Sequence, residues 1–542
     1  MKDPKPFFAP LAHGAFRRFW LAAIASNLGA LIQSVGAAWL MTSITSSVSM
    51  VALVQASTAM PIMLFSIVSG AIADSFDRRQ VMLIAQVFML VISAALTTCA
   101  LLGWIAPWVL LTFTFLIGCG AALNTPSWQA TVGDLVPRED IADAVSLNSV
   151  AVNVTRSVGP ALGGVIVALG GAVAAFASNT VCYLAMIVTL VRWGERKKPS
   201  KLPREPMARA IMAGLSYVSM SPNLLKVYLR SFAFGVCAVA VLALLPVVAH
   251  RSMGGGPLTY GLMLCAFGVG AVAAAMINAR LRQKFSSESI IFASFGGIAV
   301  SEAMLAISPN IVAAAPFIVI AGACWVIALS LFNTIVQLST PRWVVGRALS
   351  FYQTSTFGGM TCGSWLWGSV AESHGIATAL SISAALTTVG MLAGVVLPMP
   401  AFQSPDLDPL QNFREPKLKL DILPRSGPIA VHINYEIRDE DIEEFLSLMA
   451  WRRLVRIRDG AKAWTLNRDL ENPALWMELY RTPTWADYLR HNQRRTKADA
   501  NNHERLLALH QGREPLSARR WIERHAVSQE DELLHQIPVG PH

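Results

Sequence analysis

Pro137-Arg138, Ala144, Ser146, Gly159, Leu162, Gly164 and Gly171 reappear 204 residues later as Pro341-Arg342, Ala348, Ser350, Gly363, Leu366, Gly368 and Gly375. Spaced identities that need no gap make the region up to about Pro398 two copies of one unit. Each copy is almost wholly apolar. Parallel six-span halves related by such a repeat predict a membrane bundle with a site near the midplane, where the halves meet.

Working outward, only 14% of residues are charged and 54% are hydrophobic, against about a quarter charged in a soluble globular chain. From Trp20 to Pro398, polar breaks separate apolar stretches of the ~20 residues needed to cross a bilayer. Twelve spans are read at 16–42, 48–73, 79–102, 107–132, 141–170, 171–193, 224–250, 257–281, 286–308, 311–339, 344–373 and 375–397. In lipid, backbone groups must be satisfied within the segment, so the spans are helices. The predicted fold is an all-α membrane protein of two pseudo-symmetric six-helix halves, followed by a small α+β domain.

The expected organisation is a first half over 1–193, a connecting loop over 194–223 and a second half over 224–398. A linker over 399–424, an α+β domain over 425–525 and a tail over 526–542 complete it. Met207–Met220 in the connection reads as an amphipathic helix on the membrane surface. Beyond the linker, Ile429–Ile437 alternates like a strand and Asp439–Arg458 is helical. Ala463–Asp469 and Leu475–Tyr480 read as strands, and Trp485–His510 as one long polar helix. The order βαββα predicts a ferredoxin-like domain.

The net charge of +10 is explained by the positive-inside rule rather than by nucleic acid. Arg17, Arg18, Arg78, Arg79, Arg138, Arg192, Arg196, Lys197, Arg280, Arg282, Arg342 and Arg347 lie at alternate loops, which places both termini in the cytoplasm. The Met1-Lys2-Asp3-Pro4 start shows no cleavable signal, so the first span is expected to direct insertion. All seven cysteines fall in apolar segments without metal spacing, and no metal or cofactor is expected. No Gly-x-x-x-x-Gly-Lys-Ser/Thr occurs, which argues against direct ATP use.

Gly70-Ala71-Ile72-Ala73-Asp74-Ser75-Phe76-Asp77-Arg78-Arg79 resembles the loop signature of the major facilitator superfamily, departing from it at Ser75 and Asp77. The resemblance implies that Asp74 and Arg78 belong to a network that closes the halves on the cytoplasmic side, with Asp134 joining it. Asn124-Thr125-Pro126-Ser127-Trp128-Gln129, Ala144-Val145-Ser146-Leu147-Asn148 and Gly159-Pro160-Ala161-Leu162-Gly163-Gly164 extend it to the branch of enterobactin exporters and related secretion proteins. In that branch Gly159, Pro160, Gly163 and Gly164 look like a bending motif associated with export. Proline removes one backbone bond, and glycines permit close helix crossing. The arginine that many drug/proton antiporters carry on the fourth span is replaced by Thr114, so proton coupling is implied by family alone.

Ionisable groups inside spans are expensive and default to function. Arg156 is the first candidate for an anionic substrate, and Glu302 is a coupling candidate near the end of its span. Arg230 is expected to snorkel to the inner surface. Asn27, Gln33, Asn124, Asn153, Asn333, Gln337 and Gln353 are candidate cavity-lining residues, and Trp39, Trp325, Trp365 and Trp367 candidate stacking surfaces. The tail, with Trp464, Trp476, Trp485 and His491, resembles dimeric α+β domains of the antibiotic-biosynthesis-monooxygenase type. That resemblance implies a homodimer through the tail and offers Asn434, Trp485 and His491 as a pocket. The basic helix around Arg490, Arg494, Arg495 and Lys497 is a candidate for lipid headgroups.

The reading is therefore a transporter, not an enzyme, exporting a small amphipathic molecule such as a siderophore or drug. It would sit in a bacterial cytoplasmic membrane, with lipid and the small molecule as partners, and no nucleic acid. A lipid flippase of the same fold and a membrane-tethered enzyme acting through the tail are the rivals.

Overall fold

Side-chain caps set the starts of four long helices. Ser47 Oγ accepts from the Met50 amide, Asp77 from Arg79, Ser286 from Ser289 and Asn310 from Ala313, each satisfying a donor that the first turn leaves orphaned. Pro222 and Pro257 open two others, at positions where their missing N–H costs nothing. The computed structural model describes residues 9–132, 135–137, 140–193, 207–341, 344–400, 415–416, 418–494, 497–512 and 516–523.

The bundle runs α1 (Gly14–Ile44), α2 (Val48–Ser75), α3 (Arg78–Leu101), α4 (Pro107–Val132) and α5 (Ile141–Arg192). After α6 (Met207–Ser219) come α7 (Pro222–Val247), α8 (Pro257–Lys284), α9 (Ser287–Ile307), α10 (Ile311–Leu338), α11 (Val345–His374) and α12 (Ile376–Leu392). Among the described residues, 10 helices are long and apolar enough to cross a bilayer. One of them, α5, is two spans in one: Gly171, at φ 69°, turns the chain between arms 141–170 and 171–192. Only glycine adopts that backbone without strain. Gly375, the repeat partner of Gly171, holds φ 89° between α11 and α12. Counting both arms of α5, and adding α11, gives the twelve-span bundle.

Each half has its own aromatic core. In the first, Phe19 stacks with Trp128 at 6.1 Å and meets Trp193 edge-on at 5.1 Å. In the second, Phe234 meets Phe295 at 5.1 Å, Trp325 at 6.1 Å and Phe332 at 6.2 Å. Such pairs contribute about 0.5–1.5 kcal/mol each beyond area burial.

Arg230 does not snorkel. It is buried on α7, where its Nη1 binds both carboxylate oxygens of Glu288 at 2.6 and 2.7 Å and the Leu397 carbonyl at 3.4 Å. Glu288 also accepts from the Met399 amide at 2.8 Å. A desolvated guanidinium needs a partner of this kind, and its acid sits one helix away at the start of α9.

The tail is a four-stranded antiparallel sheet in the order β2-β3-β1-β4, built from β1 (Ile429–Glu436), β2 (Lys462–Arg468), β3 (Leu475–Thr482) and β4 (Ala518–Ile522). Helices α13 (Ile442–Arg458), α14 (Trp485–Gln493) and α15 (Lys497–Leu509) complete it. This is the ferredoxin-like arrangement, with two corrections. The single helix expected over Trp485–His510 is two helices, and β4 lies inside the expected 425–525 domain where the sequence predicts no strand, because Arg519 and Arg520 mask its alternation.

The tail core closes on Glu478, which is fully buried and accepts from Tyr435 Oη at 2.9 Å, Arg452 Nε at 2.8 Å, Arg456 Nε at 2.9 Å and Trp464 Nε1 at 3.1 Å. Burial alone would raise this carboxyl, yet Arg456 and Arg452 hold it well below the usual carboxylate range. Residues 212–220 of α6 cluster with this unit, and the Arg458 guanidinium lies 5.7 Å from the Tyr217 ring centre. The second half of α6 therefore has a protein partner on its aromatic side, not only a lipid surface.

Candidate functional site

Small residues decide where the halves touch. In a bilayer no hydrophobic gain drives helices together, so contact depends on how closely backbones approach. A Cβ on Gly164 would lie 3.0 Å from Gly261 Cα, and one on Gly261 would lie 2.8 Å from the Pro160 carbonyl. One α-turn pair further along, a Cβ on Gly268 would meet Ser157 Cα at 2.5 Å and the Arg156 carbonyl at 2.9 Å. The first arm of α5 thus crosses α8 backbone against backbone. Gly159 and Gly163 face the other way, onto Leu31 and onto Ile32 and Val35 of α1.

The repeat puts the same glycines to the same use in the second half. Gly363, the counterpart of Gly159, packs on Val236 of α7. Gly368, the counterpart of Gly164, meets Ser49 Cα and Ala52 Cβ of α2, 3.0 and 2.8 Å from the position a Cβ would take. The α5–α8 and α2–α11 seams are therefore equivalent by the duplication.

They are not equally bonded. Along α2–α11, Glu372 Oε2 accepts from Ser47 Oγ at 2.7 Å, the Ser49 amide at 2.7 Å and Ser49 Oγ at 2.8 Å. Toward the other end, Ser66 Oγ lies 2.8 Å from Thr354 Oγ1 and donates to the Ser350 carbonyl at 3.2 Å, and Thr354 reaches the Met63 carbonyl at 3.2 Å. Gly70 ends this seam beside Ser350 Oγ. Where α1 and α7 end, Arg251 of the turn Val248–Ser252 after α7 donates to the Ser46 carbonyl just beyond α1, and Trp39 of α1 meets His250 of that turn edge-on at 5.4 Å. The face of the bundle remote from the start of α1 and the end of α12 is thus joined at α5–α8, at α2–α11 and between the ends of α1 and α7.

Arg156 sits on the α5–α8 seam beside Gly268. Its side chain is exposed. No acid among the described residues pairs with it.

The remaining sequence candidates divide. Gln33 is buried and accepts from Ser93 at 3.2 Å and from Asn179, which ties α1, α3 and the second arm of α5. Asn124 accepts from Gln86 at 3.3 Å, between α3 and α4. Gln337 donates to Asn333 at 2.5 Å on one face of α10. These are helix-to-helix bonds inside a half or along one helix. Asn27 and Gln353 are half-buried. Glu302 is fully buried within the second half, accepting from Ser383 at 2.9 Å and Thr387 at 2.8 Å of α12. Arg79 donates to the Leu190 and Val191 carbonyls at 2.9 and 3.0 Å, capping the second arm of α5 inside its own half. Arg78 lies at the first position of α3 and is half-buried. Asp134 and the side chains of Asp74 and Asn153 lie outside the described residues.

Trp325 packs in the second-half core, and Trp367 donates from Nε1 to the Val236 carbonyl at 2.7 Å. In the tail, Trp485 and His491 belong to the core side of the sheet, where His491 contacts Arg456 at 3.1 Å. Asn434 is on the opposite face, lining a cavity with His432 and Trp521, so the three do not form one pocket. Glu372, Arg251, Gly261 and Gly268 were missed. The one available signal was Gly261 and Gly268, seven residues apart and hence on one face of α8.

A duplicated helical bundle whose halves meet at glycine seams, with an arginine within a span on one of them, is the architecture of a secondary transporter that moves a small molecule across a membrane. The family model described as transmembrane secretion effector matches residues 5–528. The chain belongs to that family, whose members are major facilitator transporters rather than enzymes. It is 26% identical over 395 residues to the enterobactin exporter EntS of Salmonella typhimurium, covering 71% of this chain and 92% of that protein. It is 25% identical over 252 residues to the staphyloferrin A transporter of Staphylococcus aureus, covering 46% of this chain and 63% of that one. Among solved structures, the nucleoside transporter NupG (D323A mutant) superposes with TM-score 0.58 at 11% identity, over 71% of this chain and 100% of that one. A bacterial homologue of the lysosomal transporter Spinster, inward-facing and unoccupied, superposes with TM-score 0.55 at 13% identity, over 73% and 96%. These likenesses show the fold.

Proposed function

We propose that the protein exports a small anionic amphipathic molecule, of the siderophore kind, across a bacterial cytoplasmic membrane by alternating access. Arg156 carries this reading. An exposed guanidinium with no acid partner among the described residues, on the seam between the halves, offers a fork that matches carboxylate or catecholate oxygens, and a charge within the span is costly without such a partner. The relatives named for enterobactin and staphyloferrin A support the substrate class. The basic residues at alternate loops support cytoplasmic termini, and the relative named as an enterobactin exporter supports outward transport. An ion gradient, that of protons, drives the cycle, in keeping with the family and with the absence of a P-loop from the sequence.

Transport by inverted membrane vesicles tests it, with a catecholate siderophore as probe and a protonophore added in a parallel arm. The unaltered chain should accumulate the probe, and the protonophore should abolish accumulation. Arg156→Met should cut the rate about 10- to 100-fold, the range for losing a charged hydrogen bond of roughly 1.5–3 kcal/mol, and Arg156→Lys should recover part of it. Equal rates for Arg156→Met and the unaltered chain would remove the anionic-substrate reading.

A further inference from the structure

The tail carries a cavity of about 510 Å³ on the sheet face turned away from its helices. Its floor follows from strand alternation. On β1, Val431, Ile433 and Tyr435 point into the core, which sends His432, Asn434 and Glu436 to the other side. Arg519 of β4 is the cross-strand partner of His432, and Trp521 is one pleat further along that face.

A wall makes this more than an open sheet. The segment after α15 turns back over the end of β1, where the Glu436 amide donates to His510 Nδ1 at 3.1 Å and the Gln511 amide to the Glu436 carbonyl at 2.9 Å. Arg438 fixes the same segment by donating to Gln511 Oε1 at 2.9 Å. Gly512 completes it, because a Cβ there would stand 2.6 Å from the His510 ring.

The chemistry inside is specific in kind. No acid among the described residues pairs with Arg519, whose planar fork suits a carboxylate. The Trp521 indole is 55% exposed and lies 6.0 Å from the His432 ring, a stacking plate beside a donor. At the far end the Glu436 carboxylate, beside Gly512, can accept from a hydroxyl. The volume falls within the range of roughly 300–1,000 Å³ typical of small-molecule sites. Among the described residues no three metal-ligating side chains cluster, so an organic ligand fits better than an ion.

We propose that this cavity binds a small hydroxylated aromatic acid, its carboxylate on Arg519 and His432 and its ring on Trp521. The site does not include Arg156 and does not depend on the transport reading.

Equilibrium dialysis of the full chain in detergent tests it, with 2-hydroxybenzoate as probe and cyclohexanecarboxylate and phenol as controls. Saturable binding of 2-hydroxybenzoate is expected, with both controls weaker. Arg519→Met should weaken it about 10-fold or more, the lower bound for a charged hydrogen bond, and Trp521→Leu should weaken it by a smaller factor. Both substitutions lie on the face away from the tail core, and thermal unfolding should match the unaltered chain. Arg156→Met should leave this binding unchanged. No saturable binding, binding indifferent to both tail variants, or binding lost only in Arg156→Met would overturn the assignment. So would a dimer, seen by light scattering, that Trp521→Lys dissociates, since a second copy would then occupy the face.

Discussion

The two seams that join the halves descend from one duplicated helix pair, yet they hold by different means. On α5–α8, Gly164 lies against Gly261 and Ser157 against Gly268, backbone on backbone. On α2–α11, the same close crossing at Gly368 is overlaid by Glu372, Ser66 and Thr354, each hydrogen-bonded across it. A bare glycine contact has little directional preference, so it can persist while helices rotate. Hydrogen bonds to fixed partners favour one arrangement. On the transport cycle proposed above, the difference casts α5–α8 as a bearing and α2–α11 as a latch, with Arg156 on the bearing.

Filling the bearing should have the largest effect. In Gly261→Val the new atoms meet Gly164 Cα and the Pro160 carbonyl, neither of which can withdraw as a side chain would, and overpacking of this kind costs about 1–3 kcal/mol. Transport should fall about tenfold or more while membrane insertion persists. A Gly261→Val protein transporting normally would mean that the seam is not a moving contact.

Loosening the latch should do less. Glu372→Gln removes the negative charge but keeps one acceptor, for a loss of about 1 kcal/mol out of the roughly 1.5–3 kcal/mol of a charged bond. The remote face should open in a larger share of molecules, by about fivefold, read as a longer distance between spin labels on α2 and α11. Unchanged distances would reduce Glu372 to a cap on α2. Ser66→Ala should have the smallest effect. A single interhelical hydrogen bond in a membrane contributes about 0.6 kcal/mol, so transport should shift by threefold at most. A larger change would make Ser66, and not Glu372, the principal contact of the latch.

The duplication, the twelve spans and the glycine motif of α5 were legible because repeat spacing and apolar length are properties of the chain itself. The partners of that motif were not, since no single sequence says that α8 rather than another helix lies against Gly164. Gln33 and Asn124 illustrate the same limit. Polar residues in a span are visible, but the side of the helix they occupy is set by neighbours, here Asn179 and Gln86. Glu372 was passed over because an acid at a span end looks solvated. In the tail, the alternation of β1 already separates Asn434 from the core side where Trp485 and His491 lie. The pocket proposed for the three was therefore refutable from sequence, while the return of His510–Gly512 over Glu436 was not.

The pairing of Arg230 with Glu288 bears on how the protein can be cut or fused. Two of its contacts, the Leu397 carbonyl and the Met399 amide, come from chain beyond the last membrane helix. A bundle terminated at Leu392 would strip both from a desolvated ion pair, and a reporter grafted there would be judged on a damaged anchor. Boundaries for any tail-free version belong after Met399.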